Sequence, residues 1–87
     1  MAITKKNPLG KHANMKIGEK IKELRTEKSL SQAELGKAIG VSQKAIDYWE
    51  RSVNEPKIGY VMTLVEFFQI SYDEFFADIE KTIIQKN

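Results

Sequence analysis

Gln43, Lys44, Asp47, Tyr48 and Arg51 bring five polar or charged side chains within nine residues, at helical spacing. At about 100° per residue they spread over one side of a helix, and Ala45, Ile46 and Trp49 share the other. A helix so divided can be anchored by its apolar face while it offers donors and acceptors outward. Lys44 can donate to guanine O6/N7 and Gln43 can pair bidentately with adenine, each contact worth about 1–3 kcal/mol of discrimination. Tyr48 suits either a thymine methyl or a phosphate oxygen. Asp47 either accepts from a cytosine amine or orients Lys44 or Arg51 through helical spacing.

No comparable set exists for catalysis. The chain has no cysteine, which removes disulfides, thiolate zinc sites and thiol nucleophiles. Its one histidine, His12, has no other ligand-type residue nearby, so neither a metal nor a cofactor is expected, and no enzyme. No apolar run approaches the roughly 18 residues of a membrane span. The basic N-terminus has no apolar stretch behind it, so a secretory signal is not expected and the expected location is the cytoplasm.

The elements that must hold the polar face are helices. Ile17, Ile21, Leu24 and Lys28 recur at spacings of four, three and four, with Lys20, Lys22 and Glu23 on or near the other side. Ser31-Gln32-Ala33-Glu34 is a capping box that opens a second helix, with Leu35, Ala38 and Ile39 inward. Gly36 inside it costs about 1 kcal/mol relative to alanine, which a close helix approach would explain. Gly40 ends that helix as a left-handed residue. Ser42 caps the helix to Arg51, and Pro56 discourages helix at Glu55. A fourth helix, about Ile58 to Phe68, is strongly apolar, and Ser71-Tyr72-Asp73-Glu74 is a second capping box. No segment alternates with period two for long. The expected architecture is all-α with five short helices, in a chain whose 87 residues suit one domain.

Charge is unevenly placed. Residues 1–28 carry +5, residues 29–57 are neutral and residues 58–87 carry −3. A basic side of this kind faces polyanions, although the same split is compatible with an ordinary solvated surface.

Two short helices meeting through Ile39-Gly40-Val41-Ser42 form a helix-turn-helix, whose second helix enters the major groove of DNA. Residues 17–76 resemble the Cro/repressor-type, or XRE-like, helix-turn-helix family of phage and bacterial regulators. The resemblance rests on Ile17-Gly18-Glu19-Lys20-Ile21-Lys22-Glu23-Leu24-Arg25, Leu30-Ser31-Gln32-Ala33-Glu34-Leu35, Ile39-Gly40-Val41-Ser42, Ile46-Asp47-Tyr48-Trp49-Glu50-Arg51, Asn54-Glu55-Pro56 and Ile70-Ser71-Tyr72-Asp73-Glu74-Phe75-Phe76. It implies a five-helix lambda-repressor-like DNA-binding domain and a sequence-specific transcriptional regulator, a repressor of bacterial or phage origin, on a palindromic operator. Gln43, Lys44, Asp47 and Tyr48 match its base-reading positions. Gln32, Ser42, Arg51, Asn54 and Lys57 match backbone-contacting ones, and Arg25 and Glu50 match a partly buried brace. The chain departs from the pattern at Ser29, Ser52 and Gln69, where the family commonly has glycine, or at Gln69 also asparagine.

The flanks complete the expected organisation: a flexible basic arm over 1–14, the helix-turn-helix domain over 15–76 and a helical tail over 77–87. The arm either wraps the minor groove or is disordered. Phe76, Ile79, Ile83 and Ile84 form an apolar stripe on the tail, expected to make a homodimer interface, the alternative being that it folds back. The competing functional reading is an antitoxin-like module that uses the same fold to bind another protein.

Overall fold

The computed structural model describes residues 15–79. The expectations for the 1–14 arm, His12, Ile83 and Ile84 lie outside those residues. The described chain forms five helices: α1 (Ile17–Glu27), α2 (Gln32–Ile39), α3 (Gln43–Glu50), α4 (Ile58–Phe68) and α5 (Tyr72–Phe76).

Serine hydroxyls start three of them. Ser31 Oγ accepts from Glu34 N at 2.9 Å while the Glu34 carboxylate accepts from Ser31 N at 2.8 Å, so the expected capping box is complete. Ser42 Oγ accepts from Ala45 N at 3.0 Å and begins α3. At Ser71 the box is half formed: Oγ accepts from Glu74 N, without the return bond. Each such cap stabilises its helix by about 1 kcal/mol.

Four helices end in the same way. Beyond α1, α2, α3 and α4 stand Ser29, Gly40, Ser52 and Gln69, all left-handed, with φ of 58°, 84°, 62° and 56°. The next residues, Leu30, Val41, Val53 and Ile70, donate their N–H groups back to Arg25, Gly36, Tyr48 and Val65. This is the Schellman arrangement, which satisfies carbonyls that a helix end leaves open. The three places where the family's glycine is replaced are therefore the places where the backbone still takes glycine's conformation.

The core joins Ile21 of α1, Leu35 and Ile39 of α2, Ile46 and Trp49 of α3, Val61, Leu64, Val65 and Phe68 of α4, and Phe75 of α5. Trp49 is buried and stands 5.5 Å, ring to ring, from Tyr60. Two glycines allow backbones to meet. A Cβ on Gly36 would lie 2.7 Å from Val41 O, so this helix is pressed against the turn that follows it. A Cβ on Gly18 would lie 1.8 Å from Trp49 O, so α1 crosses directly over the end of α3.

Some sequence expectations are corrected. Ala38 is exposed, because α2 turns Leu35, Gly36 and Ile39 inward and Ala38 falls off that stripe. Lys28 is exposed at the end of α1, beyond the last turn that faces the core. Lys20, expected on the outer side, is buried, and its Nζ reaches Asp78 Oδ2 at 3.2 Å and Glu23 Oε1 at 3.4 Å. Its aliphatic stem is covered while the ammonium finds carboxylates.

The same Asp78 accepts from Met15 N through its backbone oxygen at 3.0 Å, and Met15 and Ile79 form an isolated parallel bridge. Residues 77–79 thus lie back against the start of α1. Phe76 packs partly buried against the core, 5.0 Å from Phe75, so part of the expected tail stripe is spent within the domain.

Candidate nucleic-acid interface

Ile46 and Trp49, nine-tenths or more buried, fix the inner face of α3. Ser42, Gln43, Lys44 and Arg51 are exposed on the outside, and Asp47 and Tyr48 are half-buried beside them. Gln32, Gln43, Lys44 and Asp47 line one open cleft between α2 and α3. Sequence spacing had placed Gln43, Lys44, Asp47 and Tyr48 together, and the fold brings Gln32 to them from the start of α2. Asn54 and Lys57 are exposed on the loop that leads to α4.

Tyr48 lies among cations. Lys44 Nζ is 5.9 Å and Arg51 Cζ 5.7 Å from its ring centroid. These residues precede and follow Tyr48 by one helical turn, so the ring is bracketed along the helix axis. Cation–π attraction at exposed sites is worth about 0.5–1 kcal/mol, enough to bias three flexible side chains toward one arrangement.

Behind this face runs a continuous polar network. Arg25 grips Glu50 with two bonds, Nε to Oε2 at 2.6 Å and Nη2 to Oε1 at 3.0 Å. Its remaining Nη1 donates to Leu30 O at 2.7 Å. The hydrogen bond to Glu50 holds the Arg25 guanidinium pKa above its ordinary value, against the opposing effect of burial. The brace thus ties α1 to the end of α3, with Glu50 only 3 % exposed.

Gln32 extends the network outward: its Nε2 donates to Glu50 Oε1 at 3.0 Å and to Asp47 Oδ1 at 3.3 Å. Asp47 Oδ2 in turn accepts from Arg51 Nε at 3.0 Å, and Arg51 Nη2 lies 2.9 Å from the same oxygen as an ion pair. Of the roles open to Asp47, orienting Arg51 is thus realised in the free chain. The hydrogen bond from Arg51 is the main cause that lowers the Asp47 pKa, helped by Gln32, and the same contact raises that of Arg51.

Sequence reasoning missed three parts of this arrangement. Gln32 faces inward as well as outward, which depends on the angle between two helices and has no signature in spacing. Gly18 is needed for the approach of α1, and the only hint was a glycine in the first turn of a helix. The clasp of Lys20 on Asp78 spans most of the chain and left no local pattern.

Comparison with known proteins follows the same lines. A family model described as helix-turn-helix matches residues 21–75. Repressor protein C2 of Salmonella phage P22 is 42 % identical over 57 residues, covering 66 % of this chain and 26 % of the relative. The transcriptional repressor RstR of the cryptic phage CTXphi, from Vibrio cholerae, is 33 % identical over 70 residues, 80 % of this chain and 63 % of its own. The transcriptional activator BcrR of Enterococcus faecalis is 33 % identical over 66 residues, 76 % of this chain and 32 % of its own. The chain therefore spans less than two thirds of these curated relatives. Among solved structures, the P22 c2 repressor in complex with a synthetic operator superposes with a TM-score of 0.65 at 39 % identity, covering 71 % of this chain and 94 % of that one. The lambda-repressor-like five-helix architecture, the glycine turn and the in-register match place this chain in the Cro/repressor-type helix-turn-helix family.

Proposed function

We propose that the chain is a sequence-specific DNA-binding transcriptional repressor of bacterial or phage type that reads operator DNA through the outer face of α3. The observation that carries this reading is the pairing of Gln43, Lys44 and Tyr48 on an exposed face with Ile46 and Trp49 locked beneath it. Gln43 and Lys44 supply donors for adenine and guanine edges, and Asp47 and Tyr48 complete the reading set. Gln32, Ser42, Arg51, Asn54 and Lys57 ring that face as phosphate contacts, which fix register without carrying sequence information. No described helix is long and apolar enough to cross a membrane, and a cytoplasmic site of action accords with a DNA ligand.

Two-fold operators call for two copies of the domain, with half-sites about 10 bp apart, and we assign the chain as a homodimer on DNA. Ile58 and Met62, one turn apart on α4 and 68 % and 45 % exposed, are an apolar surface that supports such pairing or a protein partner. A stable equimolar complex with an unrelated small protein, in place of self-association, would favour the antitoxin-like reading. Selection of bound sequences from random duplexes tests the main proposal. Enrichment of a motif with two-fold symmetry is expected, and recovery of unenriched DNA would refute sequence-specific reading.

A further inference from the structure

We propose that Asp47 and Lys44 together read one G·C base pair, the Asp47 carboxylate accepting from the cytosine N4 amine. The inference rests on the DNA-binding reading above and assigns one contact within it. Both side chains line the cleft between α2 and α3, and they stand three residues apart on one helix. Positions so spaced are neighbours on a helix surface, their Cβ atoms about 5–6 Å apart. The major-groove edge of a G·C pair presents two acceptors on guanine and then one donor on cytosine. A cation beside a carboxylate matches that row. Against thymine O4, or against the guanine acceptors, the same carboxylate meets only lone pairs.

Asp47 is built to remain available for such a contact. Its side chain is 35 % exposed. Arg51 occupies Oδ2 twice, whereas Oδ1 takes a single long bond from Gln32. A carboxylate offers about four acceptor directions, so Asp47 keeps acceptor capacity beside the cleft that it lines. The group is also fixed before DNA arrives, because Gln32 is held by Glu50 and Glu50 by Arg25. The competing account is that Asp47 merely clamps Arg51, and a chemical change on the base separates the two. In a paired duplex, cytosine keeps one N4 hydrogen for pairing, and N4-methylation replaces the groove-facing hydrogen with a methyl group. That change removes the donor that Asp47 would use and leaves Arg51 untouched.

The experiment uses the full chain and the duplex recovered by selection, with each base pair varied and N4-methylcytosine placed at each cytosine in turn. Wild-type protein should prefer G·C over the other pairs at one position by roughly 5- to 100-fold, and lose a similar factor on methylation there. Asp47→Ala, checked for cooperative thermal unfolding, should become indifferent to that methyl group while keeping its preferences at distant positions. Equal weakening on all sequences, or undiminished sensitivity to methylation in Asp47→Ala, would overturn the proposal. So would an Asp47-dependent preference that falls on an A·T pair. If selection recovers no motif at all, the DNA-reading function fails first, so the two failures are distinguishable.

Discussion

Asp47 and Arg51 face each other across one turn of α3, the carboxylate holding the guanidinium at 2.9 and 3.0 Å. This contact depresses the pKa of Asp47, so the stability linked to it is complete above the ordinary carboxylate range near about 4 and is lost as pH falls through the lower folded value. In Arg51→Ala the Asp47 pKa should rise toward the ordinary value, and the part of the acid loss of stability that this contact causes should shrink. Titration of the Asp47 side chain by NMR checks this; an unchanged pKa would mean that Gln32 alone holds the charge.

Arg25→Met removes both bonds to Glu50 and leaves a carboxylate that is 3 % exposed with Gln32 as its remaining donor. A buried charge that loses its partner costs about 3–5 kcal/mol. Denaturant unfolding should show a loss at the lower end of that range, since Gln32 still donates. Replacing both partners by apolar residues should recover most of it.

Ser29, Ser52 and Gln69 adopt left-handed backbone without glycine's freedom. Glycine at each should stabilise the fold by about 0.5–1 kcal/mol, the relief of Cβ strain outweighing the added freedom of the unfolded chain. Gly40→Ala should act in the opposite sense by about 1 kcal/mol, because nothing crowds the site and only φ is strained. Thermal unfolding of the four variants would show both directions.

Gly18→Ala is a different kind of change. Its Cβ would meet a backbone oxygen, that of Trp49, at 1.8 Å, and neither helix can yield by rotating a side chain. A loss of about 3 kcal/mol is expected, the upper end for overpacking. Gly36→Ala, at 2.7 Å from Val41 O, should cost less because alanine favours the helix.

Local chemistry accounts for what was legible in the sequence. The serine caps, the left-handed Gly40 and the split of α3 into a Trp49 side and a Lys44 side each depend on residues within one or two turns. Ser29, Ser52 and Gln69 were recognisable as departures, and their backbone shows why the positions matter: the turn keeps its geometry and bears the strain. What spacing could not supply depends on how helices cross. Lys20 is buried because Asp78, far along the chain, comes to lie beside it. Ala38 is exposed because Leu35, Gly36 and Ile39 take the buried side of α2. Gln32 joins Glu50 and Asp47 because α2 passes the outer edge of α3.

The central claim is that the outer face of α3 reads bases while Gln32 serves the backbone, and repeated operator selection with Lys44→Ala and Gln32→Ala tests it most directly. Lys44→Ala should relax preference at one base pair and leave the rest of the motif intact, whereas Gln32→Ala should weaken every sequence by about the same factor. An unchanged motif with Lys44→Ala, or a loss with Gln32→Ala that is confined to single base pairs and spares binding to other sequences, would contradict the account.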